Sequence, residues 1–199
     1  SPLSSSSAAS DVYKRQQYRL RRVGLLAAIL AWVMGVVELG GNAGLWIYSK
    51  DQVLGALLGV FAEHSPRLLE ADFKLSSLSF ALLVILDFLP LLLSSFALYL
   101  TGVFFLRLSR GETWSDRNIR ILWRVGMLWI VAPATFPMME TLQGLALSID
   151  LPPGQRILQI SAGFSSYAAY EVVKGILLCS FSIIMRDAKV LSDEHSHYI

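Results

Sequence analysis

Apolar residues run through this chain in four long blocks separated by short polar segments. The blocks are Val23–Tyr48, Leu75–Leu106, Ile119–Ile149 and Ile157–Met185. Each exceeds the roughly 20 residues an α-helix needs to cross a bilayer. The pattern predicts an all-α polytopic membrane protein, an antiparallel four-transmembrane-helix bundle. The second block would be about 48 Å long at 1.5 Å per residue, more than a ~30 Å hydrocarbon core, so it must tilt, kink or project. Pro90 in the second block, and Pro133 and Pro137 in the third, mark where kinks are expected. Between the first two blocks, Ser49 and Gln52 have capping-box spacing. Val53, Leu54, Leu57, Leu58, Val60 and Phe61 then form a helical stripe too short to span. This predicts a short helix over Lys50–Glu63, lying on the membrane face in the first outer loop. Ser65-Pro66 reads as a further N-cap and N1 pair. Asp150-Leu151-Pro152-Pro153-Gly154 reads as a tight turn between the last two spans.

Composition agrees with this class. The 199 residues are 54% hydrophobic and 16% charged, whereas a soluble domain carries about 25% charged residues. Ser1–Gln16 differs from the rest: it is serine-rich and aperiodic, and it resembles a translated linker. It is set apart as a non-native or disordered tract, leaving residues 17–199 as a single four-helix transmembrane domain. The first block has the basic flank of a signal peptide in Arg19, Arg21 and Arg22. Its apolar run outlasts the 7–15 residues of a signal core, however, and an uncleaved first helix is expected. The lone cysteine, Cys179, lies in the fourth block and excludes an intrachain disulfide.

Charge predicts orientation. Arg19, Arg21 and Arg22, then Arg107, Arg110, Arg117, Arg120 and Arg124, then Arg186 and Lys189 fall on one side of the bundle. Lys50, Arg67, Lys74 and Arg156 fall on the other. The positive-inside rule puts both termini and the central loop in the cytoplasm. Trp46 and Tyr48 would then mark the outer interface, and Trp114 and Trp123 the inner one.

Each block holds one interior acid: Glu38, Asp87, Glu140 and Glu171. Counting from the predicted faces puts Asp87 and Glu171 near mid-membrane, Glu38 in the outer half and Glu140 close to the outer surface. Gly24, Ala28, Ala31, Gly35, Glu38 and Asn42 share one face of the first helix, where small residues let backbones approach. Comparable stripes carry the other acids, including Ser161, Ser165, Ala168, Glu171, Gly175, Cys179 and Ser182 in the fourth. Lys174 follows Glu171 at i+3, a spacing that allows an ion pair. Two readings stay open for Glu38, Asp87, Glu171 and Lys174. They hold helices together, or they form an intramembrane polar cluster that serves a proton, cation or solute pathway.

Enzyme chemistry finds no support. The chain has no phosphate-binding glycine loop and no zinc-protease helix. His64, His195 and His197 all lie outside the blocks, so haem held between spans is excluded. Ser165 has only Lys174 as a membrane base, more than two helical turns away. No cofactor, metal or catalytic residue is assigned. Arg117, Arg120 and Arg124 share a helical face beside the membrane, which favours anionic lipid headgroups over nucleic acid.

Gly111-Glu112-Thr113-Trp114-Ser115-Asp116-Arg117-Asn118, followed by Leu122, Arg124 and Gly126, resembles the signature of the uncharacterised bacterial family called domain of unknown function 2975. Trp114 stands where that family usually has phenylalanine. The tail with Leu191, Asp193 and Glu194 is similar too, though Lys189-Val190 lacks the family's glycine. The resemblance covers about residues 19–199 and implies a multi-pass bacterial inner-membrane protein without assigned activity. The frequent pairing of relatives with a small regulator implies a sensory or regulatory role. Physically, Gly111 would end one helix, Ser115 cap the next, Trp114 anchor the turn, and Asn118 bond back toward the cap. Gly111, Trp114, Ser115, Asn118 and Arg124 thus form a candidate cytoplasmic hairpin.

The expectation is a non-enzymatic sensor, regulatory or interaction protein. The alternative is a small proton, cation or solute transporter or channel subunit using the intramembrane acids. The expected partners are the lipid bilayer and either a cytoplasmic protein or a second copy of the chain.

Overall fold

The computed structural model describes the backbone of residues 3–70, 73–112, 115–157, 160–161, 163 and 165–196. Side chains are described from Tyr18 onward, except those of Ser192, His195 and Ser196. Among these residues the fold is all-helical: α1 (Leu3–Tyr48), α2 (Lys50–Ala62), a 3-10 turn (Pro66–Leu69), α3 (Ser77–Ser109), α4 (Asp116–Leu147) and α5 (Ser166–Ser196). Four helices are long and apolar enough to cross a membrane: Tyr18–Tyr48, Ser77–Ser109, Asp116–Leu147 and Ser166–Leu191.

The spans form an antiparallel four-helix bundle laid out as a row. Packing joins α1 to α3, α3 to α4 and α4 to α5, while no comparable seam joins α1 to α5 among the described residues. Small residues set the seams. A Cβ on Gly24 would lie 2.9 Å from the Phe105 carbonyl oxygen. One on Gly102 would overlap the Trp32 indole, whose Nε1 donates to the Tyr99 carbonyl at 3.2 Å. Gly126 and Gly175 mark the α4–α5 crossing, where a Cβ on either would fall within 3 Å of the other's carbonyl oxygen. The predicted face of α1 is the observed one: Gly24, Ala28, Ala31 and Gly35 are buried.

Each end of the bundle has its own core. At the cap end, Phe61 and Leu68 meet Leu83, Ala146, Leu147, Leu151 and Ile157. Leu54, Leu57 and Leu58 of α2 pack against this cluster, so protein covers much of the apolar stripe of α2 while Val60 stays exposed. Ser49 precedes α2 as expected but makes no side-chain capping bond; its carbonyl instead accepts from Gln52 and Val53 N–H. At the opposite, hairpin end, Phe104 packs with Ile121, Leu122 and Val125.

Three expectations change. The fourth span starts at Ser166, nine residues after Ile157. Side-chain hydroxyls hold the intervening backbone: Ser148 Oγ accepts from Ile157 N–H at 2.8 Å, and Thr141 Oγ1 accepts from Ser161 N–H at 3.0 Å. Ile157 and Ser161 are thus held beside the last turns of α4, and Ser161 and Ser165 drop out of the helical stripe. Second, α1 runs back through the serine-rich tract to Leu3, where composition pointed to an unstructured arm. Extending an existing helix avoids the cost of nucleating one. Third, Trp46 is not part of an interfacial belt. It is 7% exposed, packs edge-on to Phe80 and donates to Asp87.

Asp150 ties the cap together. Its Oδ2 accepts from the N–H of Ser76 at 2.8 Å, and Ser76 is the N-cap of α3. Partial burial opposes ionisation of Asp150, but the hydrogen bonds from the Ser76 backbone and from the Ser79 and Ser76 hydroxyls outweigh it and hold its carboxyl below the usual value. A lowered folded-state value contributes stability that is complete above the unfolded value near 4 and fades as pH falls through the folded one. Asp150→Ala is therefore expected to cost about 1–2 kcal/mol at pH 7. In detergent unfolding curves, the gap between wild type and variant should close as pH drops below about 4.

Candidate functional site

The four residues of the expected intramembrane cluster separate into two seams. Glu38, on the small-residue face of α1, accepts from the hydroxyls of Ser94 at 2.5 Å and Ser95 at 3.1 Å on α3. Asp87, on α3, accepts from Asn42 Nδ2 at 2.9 Å and Trp46 Nε1 at 2.7 Å on α1. Each acid takes both of its bonds from the facing helix. Because α1 and α3 are antiparallel, Asp87 lies level with Asn42–Trp46 and nearer the cap than Glu38. This reverses the depth order counted along the chain.

Glu171 and Lys174 sit on α5. Lys174 Nζ is 2.7 Å from Glu171 Oε1 and lies over the Trp129 ring, 4.3 Å from its centroid. The ion pair expected from their spacing is present. Glu171 is 5% exposed, and its Oε2 is the buried side-chain polar atom without a partner among the described residues. Tyr167, one turn earlier, faces Glu171 and lies within electrostatic reach of Glu38 across the unseamed α1–α5 side. With α5 beginning at Ser166, Glu171 occupies its second turn rather than the middle of a longer helix. Glu140 is half-buried and unpartnered among the described residues. The structure therefore pairs Glu171 with Lys174 and places Glu38 and Asp87 in the α1–α3 seam, each with its own donors and no direct bond to the other pair. Sequence reading identified the acids but missed Ser94, Ser95 and Trp46 as their donors. Serines and a tryptophan on an apolar helix give no signal of which neighbour they will meet.

The hairpin between α3 and α4 is built by local sequence. Gly111 has φ +85°, the left-handed conformation that ends a helix. Ser115 caps α4, its hydroxyl accepting from Asn118 N–H at 3.2 Å. Asn118 is fully buried. Its side chain reaches back across the turn, Nδ2 donating to the Glu112 carbonyl at 2.7 Å and Oδ1 accepting from Arg107 Nε at 3.1 Å. Arg107 also pairs with Glu112. Asn118 thus clamps α3 to α4, a larger role than a bond toward its own cap. Lys189 of α5 reaches Asp116 at 2.7 Å and fastens the last helix to the same turn. Arg124 is exposed and stands outside this network. Trp114, expected to anchor the turn, lies outside the described residues, as does His197 of the tail.

Chemically, these arrangements hold helices and fix a turn. No group of three His, Cys, Asp or Glu able to hold a metal occurs among the described residues. Cys179 is buried against the Trp123 carbonyl.

Removing the Asn118 side chain strands the Glu112 carbonyl and Arg107 Nε in a closed turn. Asn118→Ala is expected to cost about 2–3 kcal/mol, against about 1 kcal/mol for Ser115→Ala, which removes one cap bond. Unfolding in mixed micelles should rank them in that order.

No family model matches the chain, and neither a curated protein nor a solved structure matches it.

Proposed function

We propose that this chain is a non-enzymatic membrane protein of the sensory, regulatory or interaction type. In this reading it sits in a bacterial inner membrane, with both termini and the α3–α4 hairpin in the cytoplasm. The observation that carries the proposal is the fate of Glu38 and Asp87. Each is engaged by two donors from the facing helix, which is the work of seam-forming groups rather than of a pathway. The orientation rests on charge. The start of the first span, the α3–α4 turn and the end of α5 share one end of the antiparallel row, and they carry Arg19, Arg21, Arg22, Arg107, Arg110, Arg117, Arg120, Arg124, Arg186 and Lys189. The placement in the family called domain of unknown function 2975 rests on Gly111–Asn118, Leu122, Arg124 and Gly126. A clamped turn with outward arginines suits a docking element for a cytoplasmic protein or a second copy of the chain.

A second reading, a small proton or cation transporter, is favoured by one observation. Glu171 Oε2 is buried and unpartnered beside Lys174, and such groups often mark ion pathways. Liposome flux separates the two. Under the proposal, purified wild-type protein carries no proton or monovalent-cation flux above protein-free vesicles, and Glu171→Gln and Asp87→Asn alter only stability. Wild-type flux that is lost in folded Glu171→Gln would overturn the proposal in favour of transport.

A further inference from the structure

At the hairpin end, α4 and α5 enclose a groove of about 560 Å³. Arg120 and Arg124, one turn apart on α4, and Arg186 on α5 line it, with Trp123, Ile119 and Ile183 supplying apolar surface. Helical spacing puts Arg120 and Arg124 on one face of α4; the fold adds Arg186 from 62 residues further on, which no helical spacing reveals.

The local charge balance is positive. Arg120 and Arg124 form no ion pair among the described residues. Two acids stand near. Asp116 is within electrostatic reach of Arg120 but is already held by Lys189 at 2.7 Å. Asp187 is 3.7 Å from Arg186, and both are two-thirds exposed, a geometry that neutralises little. Three guanidinium groups therefore converge on a groove with no carboxylate inside it.

Depth narrows the ligand. The 32 residues of α4 make about 48 Å of helix, well over a ~30 Å hydrocarbon core. Its last turns are committed to the cap, where Gly144 abuts Phe61 and Ile157. The surplus at the other end leaves Arg120 and Arg124 within the first turns of α4, at the headgroup level. Trp123, 43% exposed between them, has the placement of an interfacial tryptophan. One turn deeper, Met127 is also exposed, so an apolar track runs from the arginines toward the bilayer centre.

We propose that this groove binds an anionic membrane lipid. Its phosphodiester sits among Arg120, Arg124 and Arg186, and an acyl chain follows Trp123, Ile183 and Met127. Guanidinium groups suit this because their fixed fork pairs with phosphate oxygens bidentately, and basic pockets between membrane helices take such headgroups. Free phosphate shares the charge chemistry but makes no use of the apolar track, which is why a lipid is the occupant. The site is independent of whether the protein senses or transports.

The test uses the full chain in detergent micelles, titrated with phosphatidylglycerol, phosphatidylcholine or glycerol phosphate and read by native mass spectrometry. Wild type should hold phosphatidylglycerol at least about tenfold more tightly than the other two. The triple variant R120Q/R124Q/R186Q should lose that preference, while R21Q/R110Q, arginines at the same end but outside the groove, should keep it. Equal affinity for the two lipids, an undiminished preference in the triple variant, or glycerol phosphate binding as tightly as the lipid would each overturn the proposal. Should the triple variant not fold, brominated lipids decide on the wild-type background. Brominated phosphatidylglycerol should quench tryptophan fluorescence more than brominated phosphatidylcholine, and Trp123→Phe should abolish that excess. Equal quenching, or an excess that survives Trp123→Phe, counts against the site.

Discussion

A hydrocarbon interior offers no water to a polar group, so each one must find its partner within the protein. The spanning helices are arranged around that requirement. Glu38 and Asp87 would be costly on an isolated helix, and both are paired only because α1 lies against α3. Glycine and alanine on α1 let the backbones approach closely enough for serine hydroxyls, an amide and an indole to reach the carboxylates. The α4–α5 seam works similarly: Gly126 and Gly175 allow close crossing, and Ser182 Oγ reaches the Ile119 carbonyl at 2.9 Å. Polar satisfaction and small-residue packing are one constraint seen from two sides.

The same constraint explains the two ends. At the cap, the backbone N–H groups of Ile157, Ser161 and Ser76 are held by the hydroxyls of Ser148 and Thr141 and the carboxylate of Asp150. At the hairpin, Asn118 satisfies the Glu112 carbonyl and the Arg107 Nε–H where two spans join. Between these ends, the row of helices has no α1–α5 seam comparable to the others among the described residues. Glu171, with its unpartnered oxygen, and Tyr167 lie toward that open side.

Much of the fold was legible because membrane burial writes itself as hydropathy and length. The spans, the short helix at Lys50, the cap at Ser115 and the left-handed Gly111 follow from residues that each carry a local rule. The α1 face was legible because small residues at steps of three and four have few other uses. The start of α5 was not. Ile157–Ser165 is apolar enough in sequence to extend the helix, and the bonds that hold Ile157 and Ser161 come from Ser148 and Thr141, far enough away to leave no mark on the segment's own composition. Trp46 was misplaced for a related reason. A tryptophan near a span's end fits an interfacial belt equally well until Asp87 is found beside it. The four acidic and basic site residues were picked out by type, but their separation into seams depends on which helices are neighbours, and hydropathy does not order helices.

The central claim is that the carboxylates of Glu38 and Asp87 act as bonds between α1 and α3. A double-mutant cycle between Trp46→Phe and Asp87→Asn, measured by reversible unfolding in micelles, tests it most directly. Coupling of about 1 kcal/mol or more between the two sites is predicted, since membrane hydrogen bonds average ~0.6 kcal/mol and a charged acceptor raises the value. Strictly additive effects would mean that Asp87 does not hold α1 to α3, and the account of the seams would fail.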